Sequence, residues 1–549
     1  MANKNIRRRL LLAGLGLVAV LLVGAGILWQ TRIGLAERAI ANALAARGIA
    51  PVSFHVSLLG LRSIEVGDLA IGPSANGAEP GPDVEADRIS IMYRFGELLS
   101  GRVQSIEVSG LRVRARIDDR GLSLGAASSL LEQGGTGGAA GALPDIHIDG
   151  ARIEIATPQG PFAIEGQLDI SKAGATAPIA ISVPALRLFD RSASIRFQPV
   201  DFTGRADLDG QRLTLGATAR STAPGSTGVE LAKISGDYDL AAAKGAARVS
   251  GALVFAPGKL EPQTVLPVLK GLATNVGGKL TYRADFTVSA GQMGSSGEVV
   301  LTGIGFEAYT AKIGGLTGPV KLASLMPPRT RGPQTLSVGL VQAGFPLKDG
   351  RVTFDIGKTG VPHLVDATWP FADGKLTLAS TSSSSDRFEL TAENVEVAAL
   401  LALVDVPGLS GSGTLSGKVP VRIENGNPIV EGGNLAAMEG GVIVYKSAAA
   451  EAATGSEQTK LLTDALKDFH YTELVGTLDG NVNGDLQFRL RLKGANPALY
   501  NGYPIVLNVN LQGSLADLIR RGTVGLRPME LIRSEVAPQK VAPQKKETP

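Results

Sequence analysis

The chain has 549 residues, with 54 lysines and arginines against 51 aspartates and glutamates and no cysteine. That excludes disulfide staples and thiolate metal sites, and a net charge of +3 spread along the chain leaves no basic domain to hold nucleic acid. Glycine is abundant at 70 residues, while charged residues make up 19% and aromatics 5%, so a large apolar excess must be housed somewhere in the fold.

Leu10 to Trp29 is a run of twenty uncharged residues preceded by Lys4, Arg7, Arg8 and Arg9. About 20 apolar residues of helix cross a hydrocarbon core roughly 30 Å thick. The basic cluster stays on the cytoplasmic side and sends the rest of the chain across the membrane. A cleaved secretory signal is the alternative, with Val23-Gly24-Ala25 as its small-residue site. The apolar run continues through Ile27-Leu28-Trp29, which favours an uncleaved inner-membrane anchor. The expected domains are a basic segment and anchor at 1–30, an amphipathic helix at 31–48, a β-groove region at 49–392, a C-terminal β region with short helices at 393–520, and a disordered tail at 521–549.

Leu35, Ala36, Ala39, Ile40, Ala43, Leu44 and Arg47 recur at helical spacing before Gly48. From Val52 the period falls to two, as in Phe54, Val56 and Leu58, then Ile89, Ile91, Tyr93 and Phe95, and later Leu486, Phe488, Leu490 and Leu492. Turn pairs punctuate these runs: Asp209-Gly210, Pro257-Gly258, Asp349-Gly350, Asp373-Gly374, Asn425-Gly426, Asp479-Gly480 and Asn501-Gly502. Alternation with hairpin signals predicts antiparallel sheet, apolar on one face and polar on the other.

A weak repeat runs through the first part. Ser63 to Ile71 (SIEVGDLAI) is echoed by Ser105 to Val113 (SIEVSGLRV) and by Asp145 to Ile155 (DIHIDGARIEI), with Ile64, Ile106 and Ile146 spaced by 42 and 40 residues. Each copy reads as strand, small break, strand, and the break suits a bulge. Gly125 to Pro144 is a Gly/Ala-rich loop, and Ser380 to Ser385 is a polar turn. Helical spacing returns at Val395 to Val406, at Gln458 to Phe469 and briefly at Ser514 to Arg520. The closing Val-Ala-Pro-Gln-Lys duplication, 536–545, is too polar to pack.

A one-sided apolar sheet must cover that face, and helices are the usual cover. Roughly 45 helical residues are too few for several hundred residues of strand. The sheet therefore either closes on itself as a sandwich or barrel, or curls around an open apolar trough suited to hydrocarbon. Each methylene taken out of water gains about 0.8 kcal/mol, so a phospholipid with about 30 methylenes faces roughly 20 kcal/mol or more in crossing water unprotected. A groove removes most of that barrier. At ~4.8 Å per strand, roughly 25 to 40 strands would extend about 120–190 Å.

The chemistry-bearing motifs fail their context tests. Gly121-Leu122-Ser123-Leu124-Gly125 matches a nucleophile elbow, but a Gly/Ala-rich loop follows instead of a helix. Asp479-Gly480-Asn481-Val482-Asn483-Gly484 starts like a calcium loop, yet its twelfth position is Leu490. Gly411 to Gly417 lacks the Gly-Lys-Ser/Thr ending of a phosphate cradle. His55, His147, His363 and His470 are far apart, and the first two fall at polar positions of alternating strands. No catalytic residue, metal site or cofactor is expected.

Two segments point further. Leu400 to Arg422 reads LLALVDVPGLSGSGTLSGKVPVR, with Gly441-Val442-Ile443-Val444-Tyr445 after it, and Leu474 to Gly513 reads LVGTLDGNVNGDLQFRLRLKGANPALYNGYPIVLNVNLQG. With the N-terminal anchor, these resemble the YdbH family of AsmA-like bacterial envelope proteins, over about 120 C-terminal residues. The resemblance implies a mainly β fold, an elongated, curled antiparallel sheet forming an open apolar groove, with one transmembrane helix and a few short helices. It implies phospholipid carried across the periplasm toward the outer membrane, and a small outer-membrane lipoprotein adding strands at the C-terminal edge. An older family label, dicarboxylate transport, fits poorly, since one spanning segment cannot form a solute carrier.

The expected groove-lining residues are Phe54, Val56, Ile64, Val66, Ile106, Val108, Ile146, Ile148, Leu486, Phe488, Leu490, Leu492, Leu507, Val509 and Leu511. The strand Ile505 to Leu511 presents an edge suited to strand addition. The rival class is a non-transporting tether or outer-membrane assembly factor whose sheet is a closed core.

Overall fold

The computed structural model describes residues 33–42, 44–46, 49, 51–72, 81–94, 103–118, 121–125, 143–158, 160–172, 177–289, 292–308, 311–343, 345–381, 386–404, 407–424, 427–446 and 457–513. The expected anchor at 10–29, the turn at 514–520 and the tail lie outside the described residues. Among the described residues no helix is long and apolar enough to cross a membrane.

These residues form 29 strands of mixed sheet and a few short helices. Two compact units divide them: one holds the residues up to Ala252 with Gly258–Lys270 and Arg283–Gly294, the other Leu253–Pro257, Gly271–Tyr282 and Ser295 onward.

In the first unit the chain enters through helix α1 (33–42), whose Glu37 carboxylate accepts a 2.8 Å hydrogen bond from the Val56 N–H. Val56 belongs to β1 (Val52–Leu59), so the helix supplies a partner to a strand at the sheet's edge. Next come β2 (Ser63–Ile71), β3 (Val84–Met92), β4 (Ser105–Ser109), β5 (Arg112–Asp118), the short β6 (Gly121–Ser123), β7 (Asp145–Thr157), β8 (Gly160–Lys172), β9 (Ile179–Asp190), β10 (Val200–Asp209), β11 (Arg212–Ser221), β12 (Glu230–Asp239) and β13 (Lys244–Phe255). Neighbours pair antiparallel with one exception. β4 and β5 run parallel to β7, so the sheet is mixed and not purely antiparallel as its hairpin signals predict. A parallel pair needs a long crossover, and the Gly/Ala-rich stretch between β6 and β7 supplies the length.

The repeat has a clear structural meaning. Asp68, Gly110 and Gly150, each four residues after Ile64, Ile106 and Ile146, all take positive φ (49°, 66° and 65°). At Gly150 the pairing steps from Ile148↔Leu168 to Ala151↔Gly166, which inserts one extra residue. Such a bulge exchanges the faces of a strand. Ile146 and Ile148 before it and Ile153 and Ile155 after it are therefore all half-buried on the same side.

After α2 (Pro262–Val265) come β14 (Thr274–Ser289) and β15 (Gln292–Ala308). The second unit continues with β16 (Ala311–Leu325), β17 (Pro328–Thr330), β18 (Gln334–Ala343), β19 (Phe345–Ile356), β20 (Pro362–Phe371), β21 (Gly374–Ser380) and β22 (Arg387–Glu396). Helix α3 (Val397–Val404) and β23 (Leu409–Gly411) precede β24 (Thr414–Glu424), β25 (Asn427–Ala437) and β26 (Gly441–Tyr445), and α4 (Glu457–Leu466) precedes β27 (Phe469–Asn481), β28 (Leu486–Ala495) and β29 (Ile505–Gly513). Helix α3 falls inside the span that helical periodicity marks at Val395 to Val406, and α4 overlaps the span at Gln458 to Phe469, beginning one residue before it. Asp209-Gly210, Asp373-Gly374 and Asn501-Gly502 make the hairpins their chemistry predicts.

Two expected turns are instead inside strands. Asp349-Gly350 lies within β19 and Asp479-Gly480 within β27. At Gly350 the glycine serves close packing: a Cβ would sit 2.1 Å from the Trp369 Nε1. Asn425-Gly426 lies outside the described residues.

Candidate functional site

Cross-strand register decides which side chains share a face, because residues directly opposite point the same way. In the first unit one row runs Ile64↔Ile91↔Ile106↔Ile146↔Ile170↔Ile181↔Ala206↔Leu215, across eight strands. A second row, beyond the bulges, runs Val84↔Val113↔Ile153↔Ile164↔Leu188↔Val200. Neither row contains a polar residue.

One residue along each strand the chemistry inverts. The row Glu85↔Arg112↔Arg152↔Glu165↔Arg187↔Asp201↔Arg220 lies on the opposite face. Arg112 Nη1 donates to Glu85 at 3.0 Å, Arg152 Nη1 to Glu165 at 3.1 Å and Arg187 Nε to Asp201 at 2.6 Å. His147 sits on this polar face, exposed and bonded through Nδ1 to the Asp169 carboxylate, which holds its pKa above the ordinary imidazole value. His55 pairs with Asp68 at 3.3 Å, also exposed. Both histidines thus occupy the solvated face that their alternation predicts.

The expected lining residues of this unit divide by depth. Val56 and Val66 are buried, whereas Phe54, Ile64, Ile106, Val108, Ile146 and Ile148 are half-buried on the apolar face. Further along that face lies a hollow of about 310 Å³ bounded by Ile164, Val183, Leu186, Leu188, Phe202, Ala206, Leu215 and Ala217.

The second unit repeats the two-faced scheme. Trp369↔Leu376↔Ala392↔Gly417↔Leu435↔Gly476↔Leu490↔Val509 forms an apolar row from β20 to β29. Phe488↔Leu511 and Leu492↔Leu507 are flanking rungs on the same face. The other face carries Lys418, paired with Glu389 at 2.7 Å, and Arg422, paired with Glu431 at 2.7 Å and with Glu424 at 2.9 Å.

Here, however, the apolar face acquires a cover. Val397, Leu400 and Leu401 from α3 and Leu462 and Leu466 from α4 pack with Leu376, Leu415, Phe469, Leu474, Leu492 and Leu507 in one core cluster. Leu492 and Leu507 are 5% and 4% exposed, and Leu490 packs against the same cluster. Leu486 is buried with Val419 and Val430 in a smaller cluster, while Phe488, Val509 and Leu511 are half-buried. Tyr471 closes this region, its hydroxyl donating to the Ser412 carbonyl at 2.7 Å. Helical periodicity marks α3 and α4 but carries no signal for where they dock, since docking depends on strands as distant in sequence as that of Leu507 is from Val397.

The Gly121–Gly125 motif sits on β6 and the turn after it, where the Ser123 hydroxyl accepts from the Gly125 N–H at 3.3 Å. Among the described residues no group of three or more His, Asp or Glu side chains is placed to hold a metal ion.

A family model described as YdbH-like, intermembrane phospholipid transport protein YdbH, matches residues 19–221 and 151–537. No curated protein and no solved structure matches the chain.

Proposed function

We propose a function from one premise: the chain belongs to the YdbH-like family, and that family's role is intermembrane phospholipid transport. On this reading the protein is a passive conduit. Acyl chains lie along the apolar rungs, and the headgroup stays in water. The observation that carries the reading is the isoleucine row from Ile64 to Ile181, apolar on every strand, backed one residue away by an ion-paired face. A soluble sheet needs its polar face in water; its apolar face needs hydrocarbon, either its own or a lipid's. Side chains that stay half-buried among the described residues suit the second.

The lining would comprise Phe54, Val56, Ile64, Val66, Ile106, Val108, Ile146 and Ile148 in the first unit. In the second it would comprise Phe488, Val509 and Leu511, because the other expected residues are taken up in cores, Leu490, Leu492 and Leu507 with α3 and α4 and Leu486 with Val419 and Val430. The anchor at 10–29 would tether the chain in the inner membrane with its bulk in the periplasm, and flow would run toward the outer membrane. Strand β29 pairs only with β28 among the described residues, so its other edge can accept a strand from a small outer-membrane lipoprotein. With no native cysteine, a single one introduced at the exposed Asn510 gives a clean crosslinking report on that partner.

The test is mass spectrometry of lipids that copurify with the full chain, for the wild type and for Ile106→Asp. A carboxylate among Ile91 and Ile146 is expected to lower bound phospholipid while the protein stays folded, whereas Glu107→Lys on the opposite face leaves lipid unchanged. Lipid-free wild-type protein, or an Ile106→Asp variant whose bound lipid is undiminished, sinks the conduit. The helix-filled core around Leu492 and Leu507 favours a second reading, a non-transporting tether or outer-membrane assembly factor, and it is the reading that survives if lipid is absent.

A further inference from the structure

We propose that the hollow over β8 to β11 is a discrete seat for one hydrocarbon chain of a phospholipid, a stopping place within the conduit. This rests on the lipid-carrying reading and narrows it to an address.

The hollow arises where the apolar rows lose their bulk. Gly204 pairs with Ala217, and Ala206 with Leu215, at positions where the rungs nearer β2 carry Val66 with Ile89 and Ile64 with Ile91. Large side chains, Leu186 and Phe202 among them, stand as walls around this floor. The floor cannot fill in. A Cβ on Gly204 would meet the Gly216 carbonyl oxygen at 2.6 Å and the Ala217 Cβ at 2.7 Å, so the glycine is fixed by the approach of the neighbouring strand.

The chemistry of the lining then selects the occupant. The two polar residues at its boundary, Thr203 and Arg205, belong to the opposite face, where the Thr203 hydroxyl accepts from Arg220 Nη1 at 3.3 Å and the Arg205 guanidinium is held by Asp207 at 2.7 Å. A phosphate therefore has no partner here. Water over this floor lacks the two to four polar partners that an ordered water needs, so hydrocarbon displaces it favourably. At about 310 Å³ this hollow suits a length of acyl chain and not a whole phospholipid.

The experiment uses the full chain, unmutated, mixed with phosphatidylethanolamine vesicles in which one acyl chain carries a mid-chain diazirine. After illumination, labelled peptides are mapped by mass spectrometry. Labelling within β10 and β11 is expected, along with labelling elsewhere on the apolar face. Ala217→Trp fills the hollow and should cut labelling of β10 and β11 at least tenfold while sparing β4 and β7. Thr218→Trp, on the opposite face, should leave it unchanged. A parallel arm with the free fatty acid bearing the same diazirine separates the sources. Capture of the fatty acid but not the phospholipid overturns the assignment of occupant. Labels on β4 and β7 but none on β10 and β11, or labelling unmoved by Ala217→Trp, overturn the seat and leave the conduit standing. Absence of label everywhere overturns the conduit itself.

Discussion

Ile106 and Ile146 lie directly opposite one another on the parallel strands β4 and β7, and four residues beyond each stands a glycine, Gly110 and Gly150, with positive φ. Two strands thus turn their faces over in step, and the apolar rows continue through the bulge. A Cβ at Gly150 meets only the Gly110 nitrogen, at 3.8 Å, but at Gly110 it would collide with the Asp87 carboxylate at 2.0 Å. Gly150→Ala is therefore expected to destabilise by about 1–2 kcal/mol from backbone conformation alone. Gly110→Ala should lose up to about 3 kcal/mol, because the Asp87 side chain must also move. Urea unfolding of the two variants checks the order.

Burial separates the helix-covered part of the apolar face from the isoleucine rows. Leu492 is 5% exposed beneath α3 and α4, whereas Ile146 is half-buried with polar residues on either side of it along its own strand. Leu492→Ala is expected to cost about 2–5 kcal/mol, as for a closed core. Ile146→Ala should cost less than half as much, and equal losses at the two sites would mean that the isoleucine rows are sealed.

Asp190 ends β9 with its side chain fully covered. Arg196 Nε donates to it at 2.9 Å, and the Ser192 and Arg196 backbone N–H groups donate at 3.0 and 2.7 Å. Principally the Arg196 guanidinium, against the cost of burial, holds the carboxyl far below its ordinary range. A depressed folded pKa stabilises fully above the unfolded value near 4 and is lost as acid protonates the folded group. Asp190→Asn should lose about 1–3 kcal/mol at neutral pH. The gap from wild type is expected to narrow in strong acid, as read from thermal unfolding at several pH values.

His147 behaves in the opposite sense. Its bond to Asp169 raises the imidazole pKa, so the stabilisation is complete below the unfolded value near 6.5 and fades as pH rises through the folded value. The effect is small because the pair is exposed. His147→Gln should match wild type in denaturant midpoint at pH 9 and fall slightly below it at pH 5; a gap that grows with pH would contradict the assignment.

Alternation marked the strands around Val56, Ile91 and Leu490, because a sheet with one wet face writes its period of two directly into the sequence. The repeat anticipated Asp68, Gly110 and Gly150 as breaks for the same reason: bulges leave a short polar residue or glycine in phase with each copy. Asp349-Gly350 and Asp479-Gly480 misled, since glycine in a strand also serves close packing, as the Trp369 indole over Gly350 illustrates. The parallel pairing of β4 and β5 with β7 was hidden, as the crossover carries no signature of direction.

The order of residues was enough to set the two-faced character of the chain: which residues alternate, and that its helices are too few to cover its strands. Tertiary structure alone decided which rungs align, that α3 and α4 are committed to covering Leu492 and Leu507, and that Gly204 and Ala217 meet to leave a hollow. Period is a property of neighbours along the chain, whereas register and cover are set by side chains that become neighbours only when strands far apart in sequence pair.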